Sequence, residues 1–163
     1  MSKRGTRILA FVVVVMIVVV FDQATKAAAR AWLADGKVDT LISGIINLKL
    51  VKNTGAAFSI GEGAGVLFVI FALVVLAVGS WVVATRDDVS MPLTVTIACI
   101  CGGGLGNMID RVMVGYVTDF LSLAFMDFPV FNVADVFVTC GVIVFLLIMF
   151  FGEHGKGADE AQA

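Results

Sequence analysis

Four long apolar runs leave this chain few ways to fold. Segments 8–21, 63–84, 92–109 and 133–152 are almost free of charged residues. A helix needs about 20 mostly apolar residues to cross a bilayer, within a range of about 17–25. Segments 63–84 and 133–152 meet that length well, and 92–109 just meets it. Segment 8–21 is too short alone. It reaches the length by continuing as a helix through ATKAAARAWL, which brings Asp22 and Gln23 into the span. Those two must then sit at the helix end or face the protein interior. Composition agrees: 60% of the residues are hydrophobic, 15% are charged, and the mean hydropathy is +1.06. Soluble domains average about 45–50% apolar and about 25% charged residues. The expected fold is an α-helical integral membrane protein. It is a single membrane domain over 1–163, with four transmembrane helices near 8–30, 63–84, 92–109 and 133–152.

The first segment has a competing reading as a cleaved signal peptide, with a basic start, an apolar run and alanines after it. Three remaining spans would then put the two ends on opposite sides of the membrane. Orientation rests on Lys3, Arg4 and Arg7, which precede the first span and favour a cytoplasmic N-terminus. The four-span arrangement makes 1–7, 85–91 and 153–163 cytoplasmic, with five basic residues against six on the other side. The total does not decide; the N-terminal cluster does. The extracytoplasmic connections are 31–62 and 110–132. In the first, Ile46, Leu48 and Leu50 alternate with Asn47 and Lys49, a strand pattern with one apolar face. A small extracytoplasmic β-sheet resting on the membrane surface is expected there. In the second, FLSLAF points to an interfacial loop. The TRDDVSM loop reads as a plain connector, and the tail EHGKGADEAQA as disordered.

Several functions are excluded early. The net charge is −2 and there is no basic stripe, so no nucleic-acid partner is expected. Cys99, Cys101 and Cys140 lie inside apolar runs, where a thiol packs as a small hydrophobe. The single histidine, His154, is in the tail, which removes most zinc schemes. No metal and no cofactor is expected.

Ionisable groups beside membrane spans are functional hypotheses by default. Here they gather, with polar asparagines, at the extracytoplasmic ends of the spans: Asp22, Lys26, Asn53, Asn107, Asp110, Arg111, Asp119, Asn132 and Asp135. Asp22 and Lys26 stand at i, i+4 and face the same way; they are either an ion pair capping the span or part of a site. Asp110 and Arg111 read first as a charge cluster tying helix end to loop. GGGLG at 102–106 favours close helix packing, since no Walker-type lysine follows to make a phosphate cradle. Asp119 and Asp135, sixteen positions apart, remain. Two neighbouring carboxyls share a proton. The ionised one can activate water while the neutral one donates to a peptide carbonyl. Such a pair gives a bell-shaped rate against pH. A structural pair and a proton relay of a transporter stay open on these residues alone, although a relay needs carboxylates through the bilayer depth.

DQATK at 22–26, NTGAAFS at 53–59, GGGLGNMIDR at 102–111, VTDF at 117–120 and FNVAD at 131–135 together resemble the lipoprotein signal peptidases (signal peptidase II). The likeness runs in order through essentially the whole chain. It implies a bacterial inner-membrane aspartic endopeptidase. Such an enzyme removes the signal peptide of a prolipoprotein just before a cysteine that carries diacylglycerol. The implied catalytic pair is Asp119 and Asp135. The implied lining or supporting residues are Asn53, Asn107, Arg111 and Asn132. Asp22, Lys26, Asp110, Gly55, Ala56, Phe58, Gly103 and Ala134 match further motif positions. Gly104 departs, since alanine is common there. The resemblance also implies inhibition by cyclic depsipeptides such as globomycin; membrane lipid as surroundings, both termini on the cytoplasmic side and a monomer are expected. TGAAFS is expected to let the substrate backbone approach, with Phe58 covering the site and Gly61 and Gly63 letting that lid move.

Overall fold

The computed structural model describes residues 2–55 and 65–152. Helix α1 spans Lys3–Trp32, α2 Gly65–Thr85, α3 Met91–Val114 and α4 Val133–Gly152. All four are long and apolar enough to cross a membrane. Helix α1 begins where the Ser2 hydroxyl accepts from Gly5 N, and α3 where the Ser90 hydroxyl accepts from Leu93 N. Helix α3 ends at Gly115, whose φ of 84° is open to glycine and strained for other residues. The 30 residues of α1 rise about 45 Å, more than the roughly 30 Å hydrocarbon layer. The helix therefore carries charge without carrying it into lipid. Asp22 and Lys26 are wholly buried and face the protein.

Helix α3 is the centre of the bundle, with α1, α2 and α4 all packed on it. Small residues make the close approaches, as expected where lipid gives helices no hydrophobic incentive to associate. Gly102 lies under Val18 of α1, Gly103 under the Ala134 carbonyl of α4, and Gly79 of α2 against Cys101. Phe11, Val15, Val83, Ala98 and Cys101 form the core between α1, α2 and α3.

Three antiparallel strands lie beyond the helices: β1 (Val38–Ile42), β2 (Ile46–Asn53) and β3 (Val117–Leu123), in that order. FLSLAF is mostly strand, against the loop expected from its sequence. The strand starts ahead of it at Val117 and shows no alternation there, because Val117, Thr118, Asp119 and Phe120 are all buried. The 128–132 segment then returns beside β3, with Phe131 N donating to Leu121 O at 2.9 Å. The outer edge of β3 is thus hydrogen-bonded at Phe120 and Leu121, which limits the freedom an edge strand would have there.

The 85–91 segment is more than a connector. Arg7, buried in α1, donates to the carbonyls of Arg86 (2.9 Å), Asp87 (2.9 Å) and Val89 (3.2 Å). One guanidinium therefore ties the end of α2 and the start of α3 to α1. Charge-assisted hydrogen bonds are worth about 1.5–3 kcal/mol, and buried carbonyls left bare cost about 1–3 kcal/mol. Arg7→Met is expected to lower stability by about 2–3 kcal/mol in detergent-solubilised unfolding. A change under about 0.5 kcal/mol would show the clamp to be idle.

Candidate active site

Asn132 and Asp135 begin α4 with a reciprocal cap. Asp135 N donates to Asn132 Oδ1 at 3.0 Å, and Asn132 N donates to Asp135 Oδ2 at 3.1 Å. This is the capping-box exchange, with aspartate in the acidic position. It answers why an aspartate stands at the mouth of an apolar helix: one carboxylate oxygen satisfies an orphan amide there. The other, Oδ1, accepts from Asn107 Nδ2 at 2.7 Å.

Asp119 stands on β3, opposite Val51 of β2, with Asn53 two residues along on the same face. Asn53 Nδ2 donates to Asp119 Oδ2 at 2.8 Å, and Asn132 Nδ2 donates to Asp119 Oδ1 at 2.6 Å. Asn132 therefore touches both aspartates, one through its side chain and the other through its backbone and amide oxygen. Burial pushes the Asp119 carboxyl up to about 6, against the pull of its two amide donors and with a smaller push from Asp135. Each carboxyl keeps lone pairs free beyond these bonds.

A buried ionic layer lies behind this pair. Lys26 Nζ is 2.9 Å from Asp22 and 3.7 Å from Asp110, and it donates to Asn107 Oδ1 at 2.8 Å. Asp22 Oδ1 accepts from Ala134 N at 2.9 Å, and Asp110 Oδ2 from Thr118 N at 2.8 Å. The layer thus fixes the start of α4 and the start of β3, the two elements that carry Asp135 and Asp119. Asp110 does tie helix to loop, but through Thr118, Lys26 and Arg30 rather than through Arg111. Adjacent residues on a helix point about 100° apart. Arg111 turns the other way, donates to the Gly55 carbonyl at 2.8 Å and stacks over Phe68 at 4.8 Å.

Asp119, Asp135, Asn53, Asn107 and Arg111 line one cavity of about 520 Å³. Its remaining wall is mostly apolar, from Phe128, Val130 and Phe131 to Val136 and Val138 on α4, with Thr139 among them. Cys140, expected to pack as a small hydrophobe, is exposed and lines this wall. Gly55 N donates to Asn53 Oδ1 at 2.9 Å, which orients that amide toward Asp119. Gly103 and Ala134 meet backbone to methylene at the α3–α4 crossing, outside the cavity wall. Ala56 and Phe58, and the lid glycines 61 and 63, lie outside the described residues. Sequence reasoning had Gln23 at the helix end or facing the interior but missed its role in the layer, where it donates to Asp22 and to the Gly106 carbonyl. It missed Arg30 as well, which donates to Thr118 Oγ1 at 2.8 Å. Gln23 sits inside DQATK and was legible there as a second polar residue in a span. Arg30 was legible too, as a basic residue at the same span end, four positions after Lys26.

Residues 14–151 match the family described as signal peptidase (SPase) II. A lipoprotein signal peptidase of Streptococcus pyogenes serotype M2 (strain MGAS10270) is 37% identical over 147 residues, 90% of this chain and 96% of that protein. One of Streptococcus thermophilus (strain CNRZ 1066) is 36% identical over 150 residues, 92% of this chain and 98% of that one. A bacterial membrane enzyme solved by the in meso method at 2.3 Å superposes with a TM-score of 0.83 at 32% identity, covering 93% of this chain and 92% of the other. With the family pattern spanning more than four-fifths of its length and a matching multi-pass fold, this chain belongs to the signal peptidase II family of membrane proteases.

Proposed function

We propose that this chain is a lipoprotein signal peptidase that hydrolyses its substrate with Asp119 and Asp135 acting as a pair. The observation that carries the reading is Asn132, which bonds to both carboxyls on the wall of one half-apolar cavity. The pair shares one proton. The upward displacement of Asp119 supports Asp119 as its holder. Asp135 takes a proton from water, whose oxygen attacks the scissile carbonyl carbon. Asp119 gives its proton to the carbonyl oxygen. The tetrahedral diol then collapses: the carbon–nitrogen bond breaks, the leaving amine takes the proton held by Asp135, and a diol proton returns to Asp119.

The substrate is a lipid-modified prolipoprotein cut before its diacylglyceryl-cysteine. The apolar wall along Val136 and Val138 suits acyl chains, and the polar end suits a peptide bond near the headgroups. Asn53, Asn107 and Asn132 orient the carboxyls, while Arg111 fixes the Gly55 carbonyl beside the cavity. Asp22, Lys26, Asp110, Gly103 and Ala134 support the site from behind. The enzyme works as a monomer in the bacterial inner membrane, termini cytoplasmic and cavity outward, and cyclic depsipeptides such as globomycin occupy the cavity. A proton-relay function is disfavoured because α2, α3 up to Ile109 and α4 past Asp135 contain no acidic residue.

The test is cleavage of a diacylglyceryl-modified precursor and its unmodified form by purified wild type and Asp135→Asn. Wild type is expected to cut only the modified form efficiently. The variant should lose roughly 10²–10⁴-fold in rate. A folded Asp135→Asn protein that cuts at near wild-type rate would remove Asp135 from the chemistry.

A further inference from the structure

The Asn107 side chain holds a position its own shape does not specify. The two ends of a carboxamide are nearly equal in size, so neighbours decide which way it points. Asn107 Oδ1 accepts from Lys26 Nζ at 2.8 Å and from Asn132 Nδ2 at 3.1 Å, and Nδ2 donates to Asp135 Oδ1 at 2.7 Å. A flipped amide would set its oxygen against the Asp135 carboxylate and its nitrogen against the Lys26 ammonium. An ammonium has three donors and no acceptor, so it cannot adapt to the flip. Asn132 is an amide, but it is itself held by Asp135 N and Asp119 Oδ1, so it reinforces the orientation that the charged donor sets.

We infer that Lys26 is a positioning residue for the reaction, acting through Asn107 to hold the Asp135 carboxyl in its working direction. The inference rests on the paired-aspartate reading. Lys26 is wholly buried and is absent from the cavity wall, so it touches no substrate. It reaches Asp135 twice. One route runs through Asn107 to the carboxyl. The other runs through Asp22, which receives Ala134 N and so fixes the backbone of the first turn of α4. The charged groups facing this point are Asp22, Lys26 and Arg30 from α1, Asp110 and Arg111 from α3, and Asp119 from β3. Among the described residues, only Lys26 donates to Asn107 from behind the site.

A merely structural lysine would hold α1 to α3 and nothing more. The two roles separate in a double-mutant cycle of Lys26→Met and Asn107→Leu, read in kcat, in KM and in thermal stability. Misaligned catalytic groups cost up to about 10²-fold in rate. The expected result is a kcat loss of about tenfold to a hundredfold in folded Lys26→Met, with KM changed less than about twofold. Asn107→Leu should lose a similar or smaller factor, and the double variant should lose no more than Lys26→Met alone, because the route through Asn107 is already cut in that variant. A folded Lys26→Met with near wild-type kcat, or losses that multiply in the double variant, would overturn the inference. Should Lys26→Met not fold, Asp22→Asn/Lys26→Met removes both buried charges together and is expected to show the same kcat loss. If neither folds, the lysine works for the fold alone and the inference falls. Asp135→Asn, assayed alongside, reports on the aspartate pair separately: its full activity would sink the pair, whereas its inactivity beside an unimpaired Lys26→Met would sink this inference only.

Discussion

Asp119→Asn is expected to stop cleavage and, above about pH 6, to leave the protein more stable than wild type. The folded carboxyl stands near 6, against an ordinary value of 3.8. Its neutral form is therefore the one the fold prefers. Below about pH 4 the group is protonated in folded and unfolded chains alike, and its contribution to stability is fully present. As the pH rises from about 4 through 6 the unfolded chain ionises first, and that contribution is lost. Moving the carboxyl from 3.8 to about 6 corresponds to about 3 kcal/mol. Asparagine has no proton to lose, so its stability should not decline over this interval. It does bring an NH₂ group toward a site that already receives two amide donors, from Asn53 and Asn132. One donor is left facing another, at about 1 kcal/mol. The net gain at about pH 7.5 is then about 2 kcal/mol, and the two proteins should be about equally stable at about pH 4.5. Unfolding in detergent at these two values measures it. Parallel stability curves for the two proteins would show that Asp119 does not carry the shifted proton.

The same proton sets the activity profile. If the pair needs one proton, kcat/KM should fall above about pH 6 in the free enzyme, since that ratio reports free-enzyme ionisations. An apolar substrate filling the cavity removes further water, so the matching limb in kcat should lie at higher pH. In Asp119→Asn the side chain can still offer a hydrogen bond to the substrate carbonyl but cannot transfer a proton to it. A rate loss of about 10²–10⁴-fold is expected.

The helices were legible because lipid imposes one demand on every residue that faces it. An uninterrupted apolar run of spanning length fits little besides a membrane helix, and all four runs are helices in the structure. Strand β2 was legible for the opposite reason: one of its faces is partly wet, so Ile46, Leu48 and Leu50 alternate with polar neighbours. Strand β3 was not, because its first four residues, Val117, Thr118, Asp119 and Phe120, are all buried and a run covered on both faces shows no alternation. The Asp22–Lys26 pair followed from helical spacing. The partner of Asp110 did not, because Thr118 and Lys26 come from other elements and the neighbouring Arg111 offered a simpler match. The Arg7 clamp was the least legible. It binds carbonyls some 80 residues away, and a carbonyl leaves no mark in a sequence. The convergence of Asn53, Asn107 and Asn132 on the two aspartates was foreshadowed by their shared place at the span ends. Their order of donation depends on backbone turns that only the fold supplies.

Glycines 103, 104 and 106 sit within one turn of α3, yet adding a methyl group at each should give opposite results. At Gly103 a Cβ would stand 2.5 Å from the Ala134 carbonyl oxygen and 2.7 Å from Val138. The nearer contact is backbone, so α4 itself must move, and Asp135 lies one residue beyond Ala134. At Gly106 a Cβ would stand 2.5 Å from Asp22 Oδ2. That carboxylate is held by Lys26 and Ala134 N and cannot swing aside without breaking both. Overpacking costs about 1–3 kcal/mol, occasionally more, and the lost buried ion pair adds to it at Gly106. Gly103→Ala and Gly106→Ala are each expected to lower stability by about 3 kcal/mol or more. Gly103→Ala should also lower kcat in whatever fraction stays folded. At Gly104 the nearest atom to a new methyl is Ala72 Cβ at 4.0 Å, an ordinary contact. Alanine also loses less backbone freedom in a helix, by about 0.5–1 kcal/mol. Gly104→Ala should therefore be neutral to about 1 kcal/mol stabilising, with full activity. Thermal unfolding of the three single variants in the same detergent separates them. If Gly104→Ala proved as damaging as the other two, the α3 face toward α2 would be packed more tightly than the structure has it. If Gly103→Ala were harmless, the first turn of α4 would have room to shift, and the fixed placement of Asp135 would have to come from its side-chain bonds alone.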